Sequence, residues 1–348
     1  MIFRNLGSAG IEIHNKRMVF VLVIATTDVS LIPGITVAGA SPELTHYTPA
    51  ADAEFLMLGV CKSIRAIPIT PEGIPTPALI TKAMIRRLNL PILVVNAGAR
   101  IKPQIPYLEL NGAPGRDIRD KRGAIDYERA KELFENSHIL GRELSKTFDL
   151  VFIAESVPGG TTTAMATLEG LGVKAMGKVS SSSPINPIEI KAKVVEEALR
   201  VHKGNNPLET ASKLGDPMII ASSGIALGLS EGGKTPLFSG GTQMIAVYAL
   251  YKLLGGKGGL ILTSKWIRED KSSNILDLAK QVEVDLIFSE FSLRNSKFIG
   301  LRKYEEGYVK EGVGMGASLI LARERGIGEE EILKDIDKQY EETRNLML

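Results

Sequence analysis

Short apolar runs rich in β-formers recur along the chain, apolar on both faces. They are Val19–Ala25, Ile92–Asn96, Leu150–Ala154, Met218–Ser222, Leu260–Thr263 and Leu286–Ser289. Strands that are apolar at odd and even positions alike bury both faces, as parallel strands do when helices cover a sheet on each side. Between the runs the period changes to that of a helix. Ala130, Leu133, Phe134, Leu140 and Leu144 keep helical spacing through a charged stretch that opens near Asp126. Asn186–Pro187–Ile188–Glu189 reads as an N-cap, a first-turn proline and a capping-box acid, followed by the stripe Ile190, Val194, Val195, Ala198 and Leu199. Gly240–Leu254 is predicted as a further helix, and Glu329–Leu346 as a charged terminal one with acids in its first turn.

Strands alternating with helices predict an α/β fold: a doubly wound parallel sheet with helices on both faces and a small helical lobe formed by the chain ends. No internal repeat or low-complexity linker divides the 348 residues, so a single domain over 1–348 is expected. Lys102–Gly123 is polar and carries Pro103, Pro106 and Pro114, which suits a long functional loop or an excursion between lobes.

Composition narrows the class. The 42 basic residues against 40 acidic ones leave a net charge of +2, without the basic excess expected of a nucleic-acid binder. Cys61 is the sole cysteine, so no internal disulfide can form, no two-cysteine metal site exists, and a reducing compartment fits. Met18–Thr26 is apolar but far shorter than the roughly 20 residues of a spanning helix. It follows Glu12, His14, Lys16 and Arg17 and precedes no prompt small-residue cleavage site, so it reads as a buried strand and not a signal peptide. A cytoplasmic protein with no membrane partner is expected.

Ligands of such sheets bind outside the carboxyl ends of the strands. Three glycine-bearing passages lie where strands should end. In the first, Leu150–Ala154 runs through Glu155 to Gly159, Gly160, Thr161 and Thr162. Backbone N–H groups at that helix start, with the threonine hydroxyls, could hold a phosphate; the plainer reading is a turn with a threonine cap. It is neither a Walker loop nor a dinucleotide GxGxxG. The second, Leu237–Gln243, carries Gly240 and Gly241, where glycine serves either a ligand or packing. The third places Glu311 before Gly312 and Gly314 and the apolar Ala317, Leu319, Ile320 and Leu321. A carboxylate beside apolar surface can ionise late and act as a base, whereas a solvated acid would merely stabilise the helix start. The histidines His14, His46, His138 and His202 have no metal-ligand spacing, and Cys61 has no readable catalytic context. No metal and no cofactor are expected.

Taken in order, these passages resemble the nicotinate-nucleotide–dimethylbenzimidazole phosphoribosyltransferase family. The likeness runs from about Asp28 to Leu321. The family's acid, glycines and Thr-Thr after a strand are matched by Glu155, Gly159, Gly160, Thr161 and Thr162; its Ala-Pro-Gly-Thr-Arg stretch by Ala113–Asp117; its helix lysine by Lys191 before Val194–Glu196. Its Gly-Gly helix start is matched by Gly240–Gly241, its late serine by Ser289, and its base-carrying Gly-Glu-Gly-x-Gly by Glu311–Gly314. The chain departs from the pattern at Val157–Gly160, where the family has Gly-Ile-Gly-Asn, and at Asp28–Ser30, where it has Asp-His-Gly. The resemblance implies transfer of phosphoribose from nicotinate mononucleotide to 5,6-dimethylbenzimidazole or a similar aromatic base, in a homodimer. It implies Glu311 as general base, Gly159–Thr162, Lys191 and Ser289 as the phosphate anchor, and Glu155, Gly240, Gly241, Gly312 and Gly314 at the substrates. Acceptor contacts would fall in Ser41–Asp52, with Glu43, His46 and Tyr47 as candidates, unless that segment is a plain loop. The competing expectation is a non-catalytic or differently specific nucleotide-binding protein that kept the phosphate site.

Overall fold

A computed structural model describes residues 1–39, 41–64 and 74–345. Eight parallel strands make one sheet: β1 (Ile2–Phe3), β2 (Met18–Ala25), β3 (Ile92–Gly98), β4 (Leu108–Glu109), β5 (Leu150–Ser156), β6 (Leu237–Ser239), β7 (Leu260–Ser264) and β8 (Asp285–Ser289). Their spatial order is β1-β8-β7-β6-β5-β2-β3-β4. From the β2–β5 pair the chain therefore winds outward in opposite directions, and the carboxyl ends there form the switch-point crevice of a doubly wound sheet.

β2 shows why the sheet is buried twice over. Val19, Val21, Val23 and Ala25 enter one core with the helices Tyr127–Thr147, Gly160–Gly170, Ile188–Val201, Pro217–Glu231 and Thr242–Leu253. Met18, Phe20, Leu22 and Ile24 enter the other, with Thr48–Leu58, Ala78–Leu88, Met315–Glu324 and Glu329–Asn345. Side chains alternate across a strand, so an unbroken apolar run fills both layers.

Two sequence expectations require correction. Met218–Ser222 is not a strand but part of the helix Pro217–Glu231. Asp216 caps that helix by accepting the Ile219 N–H at 3.1 Å, Pro217 stands in its first turn, and the apolar run continues to Leu229 because the helix is buried all round. The strand of this region is β6, three residues long. Asn186 is likewise not a side-chain cap: its Nδ2 donates to the carbonyls of Val179 (2.9 Å) and Ser272 (3.2 Å), and its Oδ1 accepts from Lys191 at 3.1 Å. A buried ammonium needs acceptors more than a helix start near solvent needs a cap. The predicted terminal helix is described to Asn345; its last predicted residue, Leu346, lies outside the described residues.

The helices Tyr127–Thr147 and Pro217–Glu231 cross with almost no side chain between them. A Cβ built on Gly141 would fall 2.1 Å from the Ile225 carbonyl oxygen, and one on Gly228 would fall 2.2 Å from that of His138. Ser137, Gly141 and Ser145, four residues apart, face Gly224, Gly228 and Gly232, also four apart. Residues at that spacing share a helix face, so each helix offers a smooth ridge. Among the described residues no helix is long and apolar enough to cross a membrane.

Candidate active site

A cavity open to solvent lies over the carboxyl ends of β5 and β6. Its walls are built by the turns that leave these strands. β5 ends in Glu155 and Ser156, and the turn Val157–Gly159 delivers the chain to the helix starting at Gly160. Gly159 adopts φ +78°, and a Cβ there would lie 2.9 Å from the Ser30 amide nitrogen, so only glycine fits this turn. Gly159, Gly160 and Thr161 line the cavity, while the Thr162 hydroxyl is buried behind them without a hydrogen-bond partner. β6 ends at Ser239 and passes through Gly240 and Gly241 to a second helix; Gly241, Thr242 and Gln243 face the cavity and Gly240 stands behind. Two helix starts thus converge on one space, each with N–H groups suited to an anion. The Gln243 side chain occupies the room left by the missing side chain of Gly160: its Oε1 lies 1.8 Å from where a Cβ would stand.

Glu311 enters from the opposite wall. Its Oε2 accepts the Ser264 N–H at 2.7 Å and the Thr263 hydroxyl at 3.3 Å, both at the end of β7. Its Oε1 accepts the amides of Gly316 (3.1 Å) and Gly312 (3.2 Å) at the start of the helix Met315–Glu324. Those donors favour the charged form, yet burial outweighs them and pushes the carboxyl up to about 7. The backbone around it is strained: Val309, Lys310 and Val313 adopt φ of +63°, +65° and +52°, a region costly for β-branched residues. The Val309 N–H on Ser182 O (2.7 Å) and the Val313 N–H on Glu155 O (3.0 Å) hold it there. Gly312 lines the cavity; Gly314 is behind, where a Cβ would lie 2.5 Å from the Phe20 ring.

Glu155 is buried, and its Oε2 accepts the Val157 N–H at 3.1 Å. Burial, then the charges of Asp216 and Glu311, push its carboxyl up to about 8. Of these two acids Glu311 ionises before Glu155.

The remaining expected residues divide. Lys191 is 1% exposed and stands outside the cavity wall, its ammonium donating to Ser180 O at 2.7 Å and Asn186 Oδ1 at 3.1 Å. Burial, then the charge of Lys310, pull it down to about 7. Lys310 itself donates to Ser183 O at 2.8 Å and pairs with Asp270 at 3.4 Å, so two buried lysines clamp the loop whose Ser180, Ser181 and Ser182 line the cavity. Ser289, at the end of β8, is buried outside the wall, and its hydroxyl has no partner. Ala113–Asp117 also lies away from the cavity, with Gly115 bonded to Thr26 and Asp28. Glu43, His46 and Tyr47 do not line it either. Glu43 accepts from Ser41 at 2.9 Å, and His46 lies 3.5 Å from Asp28, which Arg100 holds at 2.6 Å.

Within the expected segments Ser41–Asp52 and Leu237–Gln243, it is Asp52 and Gln243, neither singled out from the sequence, that line the cavity; Thr76 and Ser180–Ser182, which also line it, lay outside every expected passage. A readable signal existed for Asp52: an acid inside the largely apolar helix Thr48–Leu58 needs a buried partner or a task. Glu54 in the same helix has the partners, accepting the N–H groups of Lys62, Ser63 and Gln104.

A family model described as phosphoribosyltransferase matches residues 79–278. A UPF0284 protein of Saccharolobus islandicus (strain M.16.4) is 52% identical over 333 residues, covering 95% of this chain and 94% of its own. One from Sulfurisphaera tokodaii is 51% identical over 338 residues, 96% of each. The crystal structure of nicotinate-nucleotide-dimethylbenzimidazole phosphoribosyltransferase from Thermus thermophilus has a TM-score of 0.58 at 18% identity, covering 90% of this chain and 86% of that one. CobT from the same organism gives 0.57 at 18%, with 91% and 84% covered. At that identity the likeness is one of fold.

Proposed function

The chain belongs to the phosphoribosyltransferase family, alongside the UPF0284 proteins it matches and as the sequence resemblance implied, and from that premise we propose a specific reaction. It transfers the phosphoribosyl group of nicotinate mononucleotide to an aromatic nitrogen base such as 5,6-dimethylbenzimidazole, yielding nicotinate and the α-linked base ribotide. The observation that carries this reading is the pairing, across one cavity, of two anion-suited helix starts with a carboxylate poised near neutrality.

In this reading the 5′-phosphate rests on the N–H groups of Gly159, Thr161, Gly241 and Thr242, the Gly160 N–H being held within the turn by the Val157 carbonyl at 3.0 Å. The acceptor nitrogen attacks the anomeric carbon of the ribose from the Glu311 side. As that bond forms, the bond to the nicotinate nitrogen breaks and its electron pair returns to the ring, discharging the pyridinium. The N–H proton of the acceptor passes to Glu311. The leaving group carries its own positive charge, so catalysis consists mainly of positioning and one proton transfer. Lys191 acts through the serine loop: its ammonium is committed to Ser180 and Asn186, so it shapes the wall in place of touching the phosphate.

Calorimetric titration with nicotinate mononucleotide, followed by chromatography of released nicotinate with and without 5,6-dimethylbenzimidazole, tests the proposal. Binding and base-dependent release are expected. Absence of mononucleotide binding, or equal release without any base, would overturn it; binding without release would leave a nucleotide-binding protein.

A further inference from the structure

The cavity wall has an unusual chemical balance. Among its described lining residues three carry carboxylic acids, Asp52, Glu155 and Glu311, and none is Lys, Arg or His. Asp52, which no part of the proposed reaction has used, is 3% exposed. Its Oδ1 accepts the Thr76 hydroxyl and its Oδ2 the Ser156 hydroxyl, both at 2.7 Å. Thr76 and Ser156 themselves line the cavity. A hydroxyl has one proton, and both of these protons are committed to Asp52, so the two residues present only lone pairs to the cavity. The carboxylate keeps lone pairs of its own, since each oxygen can accept twice. This patch can accept hydrogen bonds and can donate none.

Its position belongs to the acceptor end. Thr76 leads into Pro77, whose Cγ would lie 2.9 Å from a Cβ on Gly312, the residue after Glu311. Ser156 follows Glu155. The Tyr304 phenol, bonded to Pro75 O at 2.7 Å, feels the charges of both Asp52 and Glu311. Ile35, Val37, Pro77 and Val313 line the same space and provide the flat apolar surface an aromatic ring requires.

Resting on the transferase reading above, we infer that this cavity selects a flat bicyclic base bearing an exocyclic amino or hydroxyl donor on the edge remote from its attacking nitrogen, with Asp52 as the specificity-determining residue that receives the donor. A methyl group in that place would cover the acceptor patch and satisfy none of it. Buried polar groups left unpaired discriminate far more strongly than a lost apolar contact does.

The test compares kcat/KM for nicotinate release with 5-hydroxybenzimidazole, adenine and 5,6-dimethylbenzimidazole, on the wild type and on Asp52→Asn. The expected wild-type preference for a donor-bearing base over the dimethyl base is at least about tenfold. In Asp52→Asn the ratio should collapse to within about threefold of unity, whatever the absolute rates. A wild-type ratio of one or less, or an unchanged ratio in the variant, overturns the inference. Should the variant fail to fold, the wild-type ratio decides alone. Should no base release nicotinate, the transferase reading falls instead, and calorimetry of the same bases on the wild type judges this inference: tighter binding of the donor-bearing bases upholds it, and equal or absent binding sinks it.

Discussion

Glu311 receives four hydrogen bonds and still ionises near neutrality, because the donors are fixed groups of the fold and the burial they offset is larger. A base with that character works best near the pH of the cell. Replacing it with glutamine keeps size and hydrogen bonding but removes the proton acceptor. Glu311→Gln is expected to lower base-dependent nicotinate release by about 10²–10⁴-fold, roughly 3–5 kcal/mol of transition-state stabilisation. Mononucleotide affinity, read by calorimetry on the same preparation, should stay within about threefold, since the acid meets the acceptor and not the phosphate. In the wild type kcat/KM should rise with pH through about 7 as Glu311 loses its proton, and that limb should vanish in the variant. A variant that retains a limb would pass the role to Glu155, whose carboxyl burial also raises.

At the scale of elements, the proposed reaction places the phosphate on two helix starts, while one helix crossing is packed backbone to backbone, and glycine serves each differently. Gly160 stands where the Gln243 side chain folds over the first turn of its helix, and a methyl group there would lie 1.8 Å from Gln243 Oε1. The amide must then swing away, and the cavity is where it has room. Gly160→Ala is therefore expected to weaken nicotinate mononucleotide binding at least about tenfold, about 1.4 kcal/mol, with the melting temperature nearly unchanged. An unaltered Kd would remove the phosphate from this helix start. Gly228 is a different case, because backbone faces backbone there: its Cβ would meet the His138 carbonyl oxygen at 2.2 Å. No side-chain rotation relieves that contact, and the helices Tyr127–Thr147 and Pro217–Glu231 must part. Gly228→Ala should cost about 1–3 kcal/mol of stability, as overpacking does, visible as a lowered thermal midpoint, while the ligand cavity keeps its affinity.

For the whole molecule, the buried acids make stability depend on pH. Asp52, Asp216, Glu311 and Glu155 have carboxyls pushed up to about 6, 6, 7 and 8, each mainly by burial. A group whose folded pKa is raised holds its proton more tightly in the native state, so unfolding releases protons and stability falls as pH rises through that range. For Glu155 the contribution is complete below its ordinary pKa of 4.5 and lost by about 8. Lys191 acts in the opposite sense: lowered from 10.5 to about 7, it favours the folded state increasingly as pH rises above 7. Thermal melts of the ligand-free protein between pH 5 and 8 should fall more steeply for the wild type than for Glu155→Gln. The two should diverge by a few kcal/mol in all, at about 1.4 kcal/mol per pH unit. Parallel curves would mean that Glu155 titrates as an ordinary carboxylate.

How much of this was legible without coordinates varies with the range of the interaction. The helix Tyr127–Thr147 follows from local periodicity, because a 3.6-residue stripe admits one burial geometry, and β2 follows from a β-branched apolar run preceded by a polar stretch. Glu155 and Glu311 stood out because each precedes glycines in a passage that the family resemblance matches; the local pattern alone admitted a threonine-capped turn for the one and a solvated helix-start acid for the other. Met218–Ser222 misled because a short apolar run fits a buried strand and a buried helix equally; the Asp216–Pro217 start and the run's continuation to Leu229 decide it. What no local pattern contains is which polar groups meet. Lys191 reads as a helix lysine, and only the folded chain brings Ser180 and Asn186 to its ammonium. Asp52, Thr76, Ser156 and Glu311 are scattered along the sequence from position 52 to 311, and share a cavity because the parallel winding returns every strand with its carboxyl end on the same side. Secondary structure and the acid–glycine passages were thus set by neighbours along the chain. The acceptor wall and the late ionisation of its carboxylates were decided by tertiary structure, since desolvation depends on everything that surrounds a group and not on the residues beside it in sequence.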